Sequence, residues 1–292
     1  EKADPRFVYS AKLSRKPDRV VEELAGAPVD VGDVLNQTLY EHTDSVIFAS
    51  ATITVGEDFG TFHSALGLNC GEASRANDRM LGSSKGYLPA LQSLLAELHL
   101  AQNGSMLTLF TNRREMEACF DVVSPQLKEA DLRLVCQKWG VSTKGLRDDF
   151  LADEHLSLFA LKSFWEGFDA PGATLKGVVI PKLPFAKPTD PLSCERALRD
   201  DRAWAHYTLP QAVIEIKQAA GRLIRSSTDT GVLVLADRRL LTKGYGKTFL
   251  NSLPSKNVTI CSSARAAEII ADAAQKVGNR ASVDGRAGHS QA

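Results

Sequence analysis

Residues 208–239 read as a helix, a turn and an unbroken apolar run, and this unit leaves the chain few folds to choose from. Thr208 is a helix-capping residue type and Pro210 suits a first turn. At 100° per residue, Val213, Ile216, Ala220, Leu223 and Ile224 fall on one side of the predicted helix. Gln218, Arg222 and Arg225 gather within roughly 60° on nearly the opposite side. One face is therefore core, and the other offers an amide and two permanent cations. Gly221 stands beside that polar group and leaves room for a close approach. After Asp229 and Gly231 mark a turn, Val232 to Ala236 are uniformly apolar, the pattern of a parallel-sheet strand buried on both faces. Such strands need helices against the sheet. Asp237-Arg238-Arg239 then follows at the strand's carboxyl end, where open α/β sheets place ligand chemistry.

The remaining pattern agrees with a layered α/β chain. Apolar strands are predicted at residues 45–49, 106–110, 132–136, 156–161, 177–181 and 258–261, with a short strand candidate near 6–13. Helices are predicted at 33–40, 87–101, 192–206 and 264–277, and after Asn112, whose capping-box partner is Glu115. The segment 139–149 reads as a loop, and 54–86 as a long polar connection. Residues 278–292 are small and polar and are expected to be a disordered tail.

Composition narrows the function classes. Lys plus Arg and Asp plus Glu each number 35, so affinity does not rest on a bulk positive field, although a local basic groove remains open. No apolar run approaches the roughly 20 residues of a membrane span. The five cysteines, at 70, 119, 136, 194 and 261, form no CxxC pair, which argues against a zinc or iron–sulfur site within this chain. Reduced thiols and a cytoplasmic setting are expected. Cys136 and Cys261 end apolar runs, where packing accounts for them.

Several short motifs, taken in order, carry a resemblance. Ser50-Ala51-Thr52 ends a strand, Thr111-Asn112 ends another, Trp165-Glu166-Gly167-Phe168-Asp169 follows a third, and QAAGRLIR at 218–225 leads to the strand ending in DRR. These resemble motifs III, IV, V and VI of superfamily 2 helicases in the DinG/XPD-like branch. APVDVG before the first motif and LPFAKPTDP at 183–191 are similar to the same branch. The likeness covers roughly residues 28–260 and implies an α/β, RecA-like second motor domain: a mostly parallel sheet flanked by helices. It implies a lead-in at 1–43, the motor domain at 44–264, and a terminal helix with tail at 265–292.

The resemblance also implies roles. Arg222 and Arg225 would reach the γ-phosphate of ATP held by a first motor domain, with Gln218 orienting water. Glu166, Gly167, Asp169 and Gly221 would line the nucleotide. Thr111, Asn112, Ser163, Ser50 and Thr52 would touch single-stranded DNA. The expected activity is that of an ATP-dependent 5′→3′ DNA helicase, with Mg·ATP bound mainly by a missing domain. Any iron–sulfur cluster would belong to the parent protein and not to this chain. An alternative is a docking module that recruits such a helicase to a replication, repair or CRISPR-type complex. A Rossmann-like enzyme ranks well behind, for want of a GxGxxG turn.

Two patterns are decoys. Gly246-Lys247-Thr248 lacks the glycine that a phosphate loop carries five residues before its GK pair; Leu241 stands there. Asp153-Glu154-His155 precedes a strand, whereas a magnesium-binding acidic box ends one. The chain thus reads as an excised half, inactive alone.

Overall fold

The computed structural model describes residues 4–16, 19–39, 86–138, 140–161, 164, 174–187, 189–223, 230–255 and 257–287. They form two compact units. One contains residues 81–184, 216–244 and 253–292, and is built on a five-stranded sheet. Its strands are β3 (Met106–Phe110), β4 (Leu134–Cys136), β5 (Ser157–Leu161), β6 (Gly177–Ile180) and β7 (Val232–Leu235). The order is β4-β5-β3-β6-β7, and every pairing is parallel. This is the RecA-like α/β class implied by the resemblance. All five carboxyl ends consequently lie along one edge.

Helices α2 (Tyr87–Ala101), α3 (Arg113–Glu129) and α9 (Ser263–Ala287) pack together, and α3 lies against β3, β4 and β5. Leu95, Leu98, Met106, Phe110, Met116, Val123, Leu127 and Phe159 interlock there with almost no exposure. Each such side chain contributes about 1.5–3 kcal/mol relative to leaving it in water. Gly104 tightens the turn between α2 and β3: its φ is +79°, and a Cβ would sit 2.0 Å from the His155 carbonyl oxygen.

The other unit contains residues 1–80, 185–215 and 245–252. Its described strands β1 (Phe7–Lys16) and β2 (Arg19–Pro28) form an antiparallel two-stranded ribbon, followed by α1 (Val31–Thr38). Helix α5 (Pro191–Arg199) packs on β1, and Arg196 Nε donates to the Val29 carbonyl at 3.2 Å. Phe185, Trp204, Tyr245 and Phe249 form a ring cluster, the closest centroids 5.0 Å apart. Helix α6 (Leu209–Leu223) begins in this unit and continues into the other; α7 (Arg239–Thr242) and α8 (Gly246–Ser252) complete the described elements.

The structure departs from the sequence pattern at several points. Thr208 does not cap α6, because Trp204–Thr208 is a π-helical turn that runs straight into it. There the Leu209 N–H donates to the Trp204 carbonyl, five residues back. Pro210 has no N–H for an α-helical bond, and a π turn is a way to absorb that irregularity. Strand β7 is half-buried at the sheet edge instead of buried on both faces. Residues 19–28, where the pattern predicts no strand, form β2, since the partner strand supplies the hydrogen bonds that their composition does not advertise.

The supposed loop at 139–149 contains α4 (Thr143–Ala152), capped by the Ser142 hydroxyl and anchored by Leu146 and Phe150. Residues 258–261 form no strand: Val258 and Ile260 are exposed and no sheet edge receives them. Cys261 is exposed for the same reason. Helix α9 runs to Ala287, past residue 277, with no proline to stop it. The strand expected at 45–49 lies outside the described residues, as does the connection expected at 54–86 apart from Gly86, the N-cap of α2.

Candidate functional site

The carboxyl edge of the parallel sheet collects the chemistry of its unit. Chain leaving β3 turns toward β4 and β5, whereas β6 and β7 lie on the other side, so the order reverses between β3 and β6. Crevices open at such points. Thr111 and Asn112 leave β3 here. The Asn112 side chain accepts from the Arg114 N–H at 2.9 Å and caps α3. The first turn of this 17-residue helix points its amides at the edge.

Glu115 does not close a capping box. Its carboxylate is bonded to Lys182, just past β6, and accepts from the Tyr87 hydroxyl at 3.4 Å. Lys182 Nζ also sits 4.3 Å from the Tyr87 ring centroid. This cation–carboxylate–phenol group bridges the β3 and β6 ends, at the switch point. Burial, and then the Glu115 charge, push the Tyr87 hydroxyl far up from its ordinary pKa. No motif carries this group, because Tyr87, Glu115 and Lys182 are far apart in sequence; the sequence pattern singles out Glu115 alone, as a capping-box partner.

Neighbouring strand ends are braced by side chains. Gln137, past β4, accepts the Leu161 N–H at 2.9 Å, and its carbonyl accepts Arg113 Nη1 at 2.9 Å. Asp237, past β7, accepts the Leu183 N–H at 2.9 Å and holds the Arg239 guanidinium through Nε and Nη2. Burial works to raise the Asp237 pKa, but Arg239 and the two amides outweigh it and hold the carboxyl below its usual range. Within the DRR segment, Asp237 and Arg239 thus satisfy each other and pin the chain after β6 to β7.

Helix α6 presents a second surface. Val213, Ile216, Ala220 and Leu223 are buried, while Gln218 and Gly221 are exposed on another side. A Cβ at Gly221 would meet nothing within 4 Å, so the helix backbone is open to approach there. Arg222 is its penultimate residue. Leu223 lies against Gly231, where β7 begins, so this end of α6 sits beside the amino end of β7 and Asp237 stands at the opposite end. Thr111 and Asn112 therefore share the carboxyl edge, whereas Gln218 and Gly221 belong to the α6 surface. Ser50, Thr52, Ser163, Glu166, Gly167, Asp169 and Arg225 lie outside the described residues, as do Ile224 and Cys70.

Other features carry less chemistry. Arg6, Val29, Asp30, Arg196, Arg199, Asp200 and Tyr207 line a concavity of about 210 Å³, with the Arg196 guanidinium stacked 4.4 Å over the Tyr207 ring. Asp153-Glu154-His155 forms a turn at the amino end of β5, tied to Arg133 and Asn103. Gly246-Lys247-Thr248 opens α8. Among the described residues, no three His, Cys, Asp or Glu side chains gather in a group fit to hold a metal ion. Cys119 and Cys136 are buried thiols, and burial pushes each up to about 12. No described helix is long and apolar enough to cross a membrane.

Comparison with known proteins follows the same lines. Residues 95–256 match the helicase C-terminal domain family, a stretch containing all five parallel strands. The ATP-dependent DNA helicase YoaA of Escherichia coli is 36% identical over 251 residues, covering 79% of this chain and 39% of that protein. The ATP-dependent helicase DinG of Mycobacterium tuberculosis H37Rv is 31% identical over 253 residues, covering 78% and 37%. The protein named 3′-5′ exonuclease DinG in Bacillus subtilis is 28% identical over 257 residues, covering 80% and 28%. A solved XPD helicase structure superposes with a TM-score of 0.48 at 20% identity, over 59% of this chain and 32% of that one. The chain thus spans about two fifths or less of the curated relatives named here. It belongs to the helicase C-terminal domain family.

Proposed function

We propose that this chain is the second motor domain of an ATP-dependent DNA helicase, completing an ATP site held by another lobe and gripping single-stranded DNA. The observation that carries the reading is α6: one side buried, the other exposing Gln218 and an unobstructed Gly221 just before Arg222 and Arg225. Arginine is fitted to phosphate oxygens through its planar fork of donors. Arg222, in the last turn of this helix, and Arg225, two residues past its end in sequence, stabilise charge on the transferring phosphoryl group, and Gln218 positions the attacking water. Glu166, Gly167 and Asp169 complete the nucleotide wall. Magnesium neutralises phosphate charge when it is bound with ATP by the other lobe.

The DNA contact is separate. The α3 amides beside Thr111 and Asn112 face a backbone phosphate, joined by Ser50, Thr52 and Ser163. The DNA polarity is 5′→3′, residues 44–264 form the motor domain, 1–43 lead into it, and 265–292 trail it. Membership of the helicase C-terminal domain family and the names of the relatives support the helicase part of this reading.

The test is turnover. The chain alone should not hydrolyse ATP, and a lobe carrying GxxxxGK(S/T) and an acidic box should restore hydrolysis. In that mixture Arg225→Ala should lower turnover by on the order of 10³-fold or more while nucleotide binding persists. Hydrolysis by the chain alone that survives Arg222→Ala would overturn the reading.

A further inference from the structure

The Tyr87–Glu115–Lys182 group stands where the DNA contact is proposed, yet that contact gives it no task. Glu115 is the acidic residue in the first turn of α3. Its side chain is only 11% exposed, so water screens its charge poorly. A phosphate arriving beside Asn112 would meet this carboxylate within the same turn of helix, and like charges in such a setting repel. The next acid of α3, Glu117, matters less: it is more exposed, and its cation, Arg113, comes from the same helix at 3.7 Å. Glu115 instead takes its cation from the far side of the switch point, just past β6.

Lys182 is held in place to meet it. The N–H of its neighbour Leu183 donates to Asp237 at 2.9 Å, which fixes the backbone beyond β6. One Glu115 oxygen accepts from Lys182 Nζ and the other from the Tyr87 hydroxyl, so both are occupied. Stability alone is a poor reason for such a pair, because replacing a buried ion pair by apolar groups is often neutral or stabilising. The charge at the α3 terminus is a better one.

We infer that Lys182 is a positioning residue for the strand grip, an inference that rests on the DNA contact proposed above. By neutralising Glu115, Lys182 keeps the amino terminus of α3 open to a DNA backbone phosphate. It acts through Glu115 and makes no contact of its own with the phosphate.

The experiment measures oligothymidylate binding to the intact protein by fluorescence anisotropy, without nucleotide, for Lys182→Met, Glu115→Gln and the two together. Methionine keeps an unbranched stem against the Tyr87 ring, and glutamine keeps an oxygen for the Tyr87 hydroxyl. Circular dichroism checks each fold. Lys182→Met should weaken binding about tenfold. Glu115→Gln should not weaken it, and the double variant should return to within about twofold of the parent, with the parent's salt slope. A double variant as weak as Lys182→Met overturns the inference, because removing the acid then rescues nothing. So does parent-like binding by Lys182→Met, a loss on Glu115→Gln, or a double-variant slope shallower by about 0.7, the mark of a lost lysine–phosphate contact. Should Lys182→Met fail to fold, the double variant decides: parent-like affinity and slope uphold the role, and weak binding ends it. Asn112→Asp separates the two claims. If both it and Lys182→Met leave affinity untouched, the strand does not visit this edge and the DNA reading itself falls. If Asn112→Asp weakens binding and Lys182→Met does not, only the role of Lys182 falls.

Discussion

His99 sits fully buried at 0% exposure, hydrogen-bonded through its two ring nitrogens to Thr108 of β3 at 2.9 Å and Ser157 of β5 at 2.8 Å. Hydroxyls can donate or accept, so a neutral imidazole satisfies both. Burial drives its pKa down from 6.5 to about 3. Between those values the unfolded chain binds a proton that the folded chain refuses. Stability from this residue is therefore complete above pH 6.5 and declines as pH falls toward 3, by about 1.4 kcal/mol per pH unit. His99→Gln keeps a donor and an acceptor but cannot titrate. Urea unfolding from pH 7 to 4.5 should show a shallower loss of stability in the variant than in the parent. Equal slopes would mean that His99 takes up its proton without unfolding.

At the scale of elements, α3 does two things at its amino terminus. Asn112 caps it, and the same residue is proposed to face DNA. Aspartate caps as well as asparagine but repels phosphate, whereas alanine cannot cap and costs about 1 kcal/mol. Asn112→Asp should therefore keep the melting temperature and weaken binding to an oligothymidylate, while Asn112→Ala should lower both. Unchanged affinity in the aspartate variant, read by fluorescence anisotropy, would reduce Asn112 to a cap. The cap itself was legible because its signal is local: an Asx residue between an apolar strand and a helix. Helix α2 and strand β3 were equally plain, from long apolar periodicity and a bounded apolar run. Helix α4 was not, since Leu146 and Phe150 are its only buried anchors. Strand β2 was hidden because a ribbon is stabilised by its partner, and Val258 to Cys261 misled because β-branched residues resemble a strand even where no edge accepts them. The Tyr87–Glu115–Lys182 group could not be read at all, because topology alone brings its members together.

Across the whole molecule, basic and acidic residues balance at 35 each, and three of the described cations near the carboxyl edge are paired. Lys182 is bonded to Glu115, Arg239 to Asp237, and Arg113 to the Gln137 carbonyl with Glu117 3.7 Å away. In the proposed grip, such pairing leaves helix amides, uncharged side chains and the exposed Arg114 and Arg238 to hold a strand. Single-stranded DNA binding loses affinity with salt at a slope of about −0.7 for each phosphate neutralised by a cation. A second motor domain that grips through α3 should thus show a shallow dependence, with a slope no steeper than about −2, or three phosphates. Anisotropy titrations of the intact protein from low to moderate salt, without nucleotide, measure it. A steep slope would show that DNA follows a cationic path elsewhere, and Thr111 and Asn112 would then lose their proposed role. The balanced charge has a mechanical counterpart. A grip made of directional hydrogen bonds can be released by a small shift of one helix terminus, whereas a diffuse positive field would hold the strand through the whole ATP cycle.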